Sequence, residues 1–211
     1  MGKSLAKNNL QLHYLGVIKI DSYFFKKYTN NKAYDKVKHM DIVLLIFVLL
    51  ILLSIGWACL SLAPWVPTRK KDLPRICELA ELKDREVFYD LGCGDGRLVF
   101  YTAKNFQAKS YGIELALPFY LYCQIKKWFS RNSNIHFKLK NLHNEDLSKA
   151  DVVFLFAASS EKITDKLQNK LKSELKPGAR IMSYTFPIPN WEAKKISKPT
   201  NNDLPIYLYR I

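Results

Sequence analysis

The chain has 211 residues, 48% of them hydrophobic and 25% charged, with a formal net charge of +14. That length fits one α/β domain of ordinary size plus an appendage and excludes a multidomain enzyme. Cys59, Cys77, Cys93 and Cys123 show neither a Cys-x-x-Cys spacing nor nearby histidine pairs, which argues against a zinc site or disulfide framework and fits a reducing compartment. The basic excess points toward anionic lipid headgroups or nucleic acid, with solvated surface lysines as the plainer source.

Residues 1–41 hold eight lysines against three aspartates. Their weak apolar pattern (Leu10, Leu12, Leu15, Val17, Ile18, Ile20) reads as a basic extension, either a short amphipathic helix or chain without a fold. Residues 42–63 carry no charge; at about 1.5 Å per residue they reach roughly 33 Å, enough to cross a hydrocarbon core of about 30 Å. Trp57 and Trp65 suit the interface, and Pro64 and Pro67 stop the helix. The expectation is one transmembrane helix at 42–63 ahead of a folded domain at 70–211. A cleavable signal peptide fits less well, because its apolar region is shorter and Trp57 is bulky for a cleavage site before Cys59.

Leu73, Ile76, Cys77, Leu79 and Ala80 predict a lead-in helix over 72–82. A first strand at 86–91 is followed by a helix at 97–105, a second strand at 110–114, a helix at 118–131 with Pro118 in its first turn, and a third strand at 135–139. The unbroken apolar run at 151–156 is the kind buried in the middle of a parallel sheet. A helix over 161–175 stops at Pro177-Gly178, a fifth strand spans 179–184, and the alternating 206–211 closes the chain as an antiparallel strand. This alternation predicts an α/β fold, a doubly wound, mostly parallel Rossmann-like sheet with its ligand at the strands' C-terminal edge.

Between the first strand and its helix stands Tyr89-Asp90-Leu91-Gly92-Cys93-Gly94-Asp95-Gly96-Arg97, and Glu114 ends the second strand. Glycines let backbone approach a ligand closely, and a carboxylate at the second strand's end accepts hydrogen bonds from both ribose hydroxyls. The third glycine comes one residue earlier than in the Gly-x-Gly-x-x-Gly of dinucleotide sites, where a pyrophosphate rests on the helix N-terminus. Asp95 also sets a negative charge against any phosphate. A nucleoside bearing a cation fits better. The expected cofactor is S-adenosylmethionine, bound by Asp90, Gly92, Cys93, Gly94, Asp95, Gly96 and Glu114, with Asn141 at the adenine amino group. Cys93 reads as small and buried rather than nucleophilic. No metal site and no catalytic base stand out.

After the fourth strand, Phe156-Ala157-Ala158-Ser159 replaces the Asn/Asp-Pro-Pro-aromatic element of enzymes that methylate amide or nucleobase nitrogens. No cysteine is placed for attack on cytosine. Both features argue against base methylation. After the fifth strand, Tyr184-Thr185-Phe186-Pro187-Ile188-Pro189-Asn190-Trp191 offers rings that surround a lysine side chain by cation–π contact, or a proline-stiffened loop packed on the sheet.

The glycine motif, the apolar run with Ala63-Pro64-Trp65-Val66-Pro67-Thr68, and Phe186-Pro187-Ile188-Pro189-Asn190-Trp191 together resemble one group of proteins. It is the single-anchor, seven-β-strand S-adenosylmethionine methyltransferases that include the mitochondrial lysine methyltransferases of the ATP synthase c-subunit and the adenine nucleotide translocase, and their bacterial relatives. The likeness covers 42–211. It implies cofactor binding at Asp90, Gly92, Gly94, Gly96 and Glu114, with Asn141 where the family usually has aspartate. It also implies methyl transfer to a nitrogen, foremost a protein lysine, with a membrane protein as substrate. A lipid, quinone or RNA acceptor, and a non-catalytic membrane-bound scaffold of the same fold, remain open alternatives. S-adenosylmethionine is cytosolic, so the domain is expected on the cytoplasmic face of a single-pass anchor. Four basic side chains within fifteen residues on each side leave the positive-inside rule tied, and Met40 as an alternative start breaks the tie the same way.

Overall fold

The computed structural model describes residues 32–61 and 66–211; within 32–61 it describes the side chains of 39–54 and residue 56. The expected features of residues 1–31 and of 62–65 lie outside the described residues. The chain divides into two units, Met1–Leu50 and Ile51–Ile211.

In the first unit the described structure is helix α1 (Lys32–Ser61), which continues past Leu50. Its apolar side chains stand open, Leu45 at 68% exposure. Among the described residues no helix is long and apolar enough to cross a membrane; the expected span at 42–63 extends beyond the described residues.

The second unit is built on a seven-stranded sheet of β1 (Val87–Leu91), β2 (Lys109–Glu114), β3 (Ile135–Leu139), β4 (Val152–Leu155), β5 (Arg180–Tyr184), β6 (Lys195–Ser197) and β7 (Ile206–Arg210). Their order is β3-β2-β1-β4-β5-β7-β6. The first five are parallel, and β7 runs antiparallel to both its neighbours. Helices α2 (Leu73–Leu79), α3 (Arg97–Asn105), α4 (Leu117–Ser130) and α5 (Asp165–Glu174) complete the unit. The mostly parallel, doubly wound sheet is the expected one.

The period-two alternation of a strand separates the two faces. Val152 and Phe154 of β4 join Leu73 and Ile76 of α2, Leu98 of α3 and Met182 of β5. Val153 and Leu155 join Leu167 and Leu171 of α5 on the other face. Each such fully buried side chain contributes about 1.5–3 kcal/mol. A third cluster, with Val99, Cys123, Ile135 and Phe137, lies among α3, α4 and β3 and takes in Cys93.

Three elements differ from expectation. The lead-in helix is shorter, because Lys70–Asp72 forms a 3-10 turn and Glu81 takes a left-handed φ of 51° after α2. The helix expected at 161–175 begins at Asp165, where the Thr164 hydroxyl accepts the Leu167 N–H at 3.4 Å; Ser160–Lys162 is a separate turn. Strand β6 was not expected. It is a three-residue, largely exposed segment whose pairing with β7 defines it.

The strand order fixes the site. The chain winds outward from β1 to β3, then returns to place β4 on β1's other side. The carboxyl ends of β1 and β4 therefore diverge into a crevice at the switch point, where open α/β sheets take their ligands.

Candidate active site

A cavity of about 680 Å³ opens at that edge. Asp90, Gly92, Cys93, Gly94, Asp95, Glu114 and Asn141 line it; of the eight expected residues, only Gly96 does not.

The loop leaving β1 is pinned to β2: the Gly92 and Cys93 N–H groups both donate to the Ile113 carbonyl, at 2.9 and 3.1 Å. Gly94 has a φ of 53° in the left-handed region that favours glycine. Gly96 caps α3 at a φ of 70°, and a Cβ there would meet Phe137 Cζ at 2.8 Å and Cys123 Sγ at 3.0 Å. Gly96, expected at the cofactor, does not line the cavity. It is glycine so that α3 can start and pack against β3 and α4.

Glu114 is buried and already engaged. Its Oε2 accepts the Gly94 N–H at 2.8 Å, and its Oε1 accepts Leu115 N–H at 2.9 Å and Ala116 N–H at 2.8 Å. A carboxylate has about four acceptor positions. The free acid expected to take both ribose hydroxyls is therefore mostly occupied in shaping the loop, with room left on Oε2.

Asp90 is 4% exposed. Burial, then the nearby carboxylates of Glu114 and Asp95, push its pKa well above the ordinary carboxylate value. Asp95 behaves otherwise. Burial opposes its charge, but Arg97 outweighs burial, with Nε at 2.9 Å and Nη2 at 2.6 Å, and holds its pKa down. Arg97 Nη1 also donates to the Thr68 carbonyl at 2.6 Å, so the negative charge expected of Asp95 is matched locally. The Cys93 thiol is pushed well up by a hydrogen bond with Cys123 and by burial, and stays protonated. Its sulfur packs where a Cβ on Gly112 would stand.

Asn141 lines the cavity, and its Oδ1 accepts the His143 N–H at 3.0 Å, shaping the turn after β3. Two further lining residues lay outside the expected contacts. His143 Nδ1 and Thr185 Oγ1 are buried and have no hydrogen-bond partner among the described residues. Burial, then Lys166 and Lys170, lower the His143 pKa, which keeps the ring neutral. Thr185 has a φ of 73°, strained for a β-branched residue. Neither histidine nor threonine carries a sequence motif at its place; the only signal was position after a strand.

Of the two readings of 184–191, rings around a lysine or a loop packed on the sheet, Tyr184 and Trp191 follow the second. Tyr184 is buried and donates to Asp72 Oδ2 at 2.6 Å, and Trp191 donates to Gln168 Oε1 at 2.8 Å while packing edge-on against Tyr209. Phe186 alone of that segment's rings lines the cavity, together with Phe119, Phe154 and Phe156 from elsewhere. Among the described residues no group of three or more His, Cys, Asp or Glu is placed to hold a metal ion.

Comparisons with known proteins agree with this geometry. The family model described as the ANTKMT methyltransferase domain matches residues 90–195. A protein-lysine N-methyltransferase of Saccharolobus islandicus is 34% identical over 154 residues, covering 70% of this chain and 93% of that protein. The lysine N-methyltransferase of the ATP synthase c-subunit from Xenopus laevis is 30% identical, covering 61% of this chain and 55% of that protein, so the chain spans about half of its length. The crystal structure of an RNA methyltransferase from Salinibacter ruber, in complex with S-adenosyl-L-homocysteine, superposes with a TM-score of 0.64 at 31% identity, covering 69% of this chain and 94% of that one. The chain therefore belongs to the ANTKMT methyltransferase domain family, and is a methyltransferase whose methyl donor is S-adenosylmethionine.

Proposed function

We propose that the enzyme methylates the side-chain amine of lysine in a protein held at a membrane. The observation that carries this reading is one continuous cavity with two unlike ends. The end at β1 and β2 is acidic, with Asp90 and Glu114. The end at β4 and β5 is apolar, with Phe154, Phe156, Ala157, Ala158 and Phe186.

The residues present fit the donor. Asp90 is a buried acid whose neighbours are other acids, a charge that a cationic ligand relieves. The neutral His143 lines the cavity beside Asn141. The lining Lys and Arg side chains are already paired, Arg97 with Asp95 and Lys140 with Glu145, which leaves no cation for a pyrophosphate. When bound, S-adenosylmethionine supplies a methyl group on positively charged sulfur. Asp90, Gly92, Cys93, Gly94, Asp95, Glu114 and Asn141 then serve as its binding residues, while Gly96 holds the loop's shape.

Lysine suits the apolar end, since its methylene stem packs on aromatic rings while the amine reaches inward. Phe156 and Phe186 exclude water there, and orientation accounts for much of the rate in a displacement of this kind. RNA is the second reading, favoured by the name of the Salinibacter ruber relative and by the +14 charge. Against it, Ala157 and Ala158 line the site and bring no side-chain polar group to hold a base.

Attachment to a bilayer through 42–63, with the domain on the cytoplasmic side, completes the proposal. It rests on the uncharged run and the exposed apolar side chains of α1. Tethering confines the enzyme to substrates at the same surface and raises their effective concentration.

The test is product identity. Membranes from cells lacking the enzyme are incubated with the purified protein and methyl-labelled S-adenosylmethionine, then hydrolysed to amino acids. Label in methylated lysine is the expected result. Label in RNA or lipid removes the lysine reading, and no label in any fraction removes the membrane-held acceptor.

A further inference from the structure

Helix α4 buries one side and leaves the other open. Cys123 packs with Val99 of α3 and with Ile135 and Phe137 of β3. On the opposite side Leu121, Tyr122, Ile125, Trp128 and Phe129 are all exposed, Trp128 at 75% and Phe129 at 72%. At 3.6 residues per turn, their spacing of i, i+1, i+4, i+7 and i+8 makes one continuous stripe along the helix. Trp128 and Phe129 meet edge-on at its far end, with ring centroids 4.9 Å apart. Large apolar side chains grouped in this way on a folded domain mark a contact surface.

The charges beside the stripe say what it meets. Residues 117–131 contain Lys126, Lys127 and Arg131 and no aspartate or glutamate. Lys126 stands along one side of the stripe, Lys127 along the other, and Arg131 at its end. Lys126 Nζ lies 5.8 Å from the centre of the Tyr122 ring. Tryptophan and tyrosine settle where headgroups meet acyl chains, and lysine and arginine lay their stems along apolar surface while their charges reach anionic headgroups. A second copy of the chain matches poorly, because a two-fold contact through the stripe brings the same cations together. Nucleic acid also matches poorly, since Leu121 and Ile125 offer neither a ring for a base to stack on nor a hydrogen-bond donor.

We propose that α4 lies on the surface of an anionic bilayer, with Ile125, Trp128 and Phe129 among the headgroups and upper acyl chains, and with Lys127 and Arg131 paired to lipid phosphates. The contact deepens the membrane reading given above and rests on it. It also sets the active site at that surface. Pro118 and Phe119, in the first turn of α4, line the cavity, and Trp128 lies only about 15 Å further along the same helix. The cavity is thereby kept close to the headgroup layer, within reach of lysines just outside the bilayer.

The experiment follows Trp128 in the full chain on phosphatidylcholine vesicles, with and without phosphatidylserine, whose acyl chains carry bromine. The chain has four tryptophans, so the Trp128 signal is the emission of a protein minus that of the same protein carrying Trp128→Phe. With phosphatidylserine present, this emission is expected to shift to the blue relative to buffer and to be quenched by the bromines. Without phosphatidylserine, or in Lys127→Gln combined with Arg131→Gln, the quenching is expected to fall. None of these side chains is buried, so every variant should keep the wild-type melting temperature and S-adenosylhomocysteine affinity. Trp128 emission that is the same in buffer and on the vesicle-bound chain overturns the α4 contact and leaves attachment through 42–63 standing. A chain that stays off both kinds of vesicle overturns the contact and the bilayer attachment together. Equal quenching on both kinds overturns it as a contact with anionic lipid. A Trp128 that is already blue-shifted in buffer and reverts on dilution assigns the stripe to a second copy, which also overturns the proposal.

Discussion

Glu114 Oε2 accepts the backbone N–H of Gly94 at 2.8 Å, so the acid that ends β2 also sets the shape of the loop that ends β1. The loop and the ribose-binding position are one unit rather than two neighbours. Glu114→Gln exchanges an acceptor for a donor facing one of three backbone N–H groups. The expected outcome is a loss of about 1–3 kcal/mol of stability together with weaker S-adenosylmethionine binding. Calorimetric unfolding and ligand titration on the same preparation check it; loss of affinity with no loss of stability would separate the two roles.

Asp90 gives a pH prediction. Its folded pKa is raised above the ordinary 3.8, so between those values the folded chain keeps a proton that the unfolded chain has lost. Stability from this group is therefore present at low pH and falls as pH rises. Asp90→Asn escapes that loss. Its melting temperature should match the wild type at and below the ordinary carboxylate pKa and exceed it as pH rises above that, while its affinity for S-adenosylmethionine drops. Saturating ligand should narrow the gap at high pH. A constant difference across the range would show that Asp90 does not titrate as its surroundings demand.

Gly96→Ala separates packing from binding. A Cβ at this position meets Phe137 and forces a left-handed alanine, costing about 2–4 kcal/mol in all. Thermal unfolding should show that loss, with S-adenosylhomocysteine affinity per folded molecule nearly unchanged. Lost affinity at preserved stability would return Gly96 to the cofactor site.

The bilayer attachment is tested by charge. Leu52→Lys combined with Leu53→Lys places two cations in the middle of the uncharged run, each costing about 2.5–3.5 kcal/mol at the centre of a span. Alkaline carbonate extraction should leave the wild type in the membrane pellet and release the double variant. A wild type found in the supernatant removes the anchor.

Much of the fold was legible because it rests on burial. The apolar runs before Asp90 and at 152–155 read as central strands, and Pro177-Gly178 marked a stop that the structure keeps. The glycine loop and Glu114 were legible as a ligand site from their order after a strand and before a helix. Less legible was what depends on long-range pairing. Lys195-Ile196-Ser197 has too few apolar residues to announce a strand, and β7 supplies the ladder that makes it one. Thr185 was hidden for a related reason. Left-handed backbone is signalled by glycine or asparagine, whereas a threonine there depends on Pro205, Ser183 and Tyr184 brought from elsewhere. Trp191 misled because its aromatic character says nothing of direction; Gln168 and Tyr209 turn it away from the cavity.

Titration calorimetry of S-adenosylhomocysteine against the wild type and Gly94→Arg tests the central claim most directly. Gly94 lines the cavity at a φ of 53°, so an arginine there fills the donor site while costing only about 1–2 kcal/mol of backbone strain. Binding of one ligand per chain in the wild type, and none in a variant whose circular dichroism still shows the folded sheet, is the predicted result. Equal heats from both proteins would contradict it, because the ligand would then lie outside the crevice between β1 and β4.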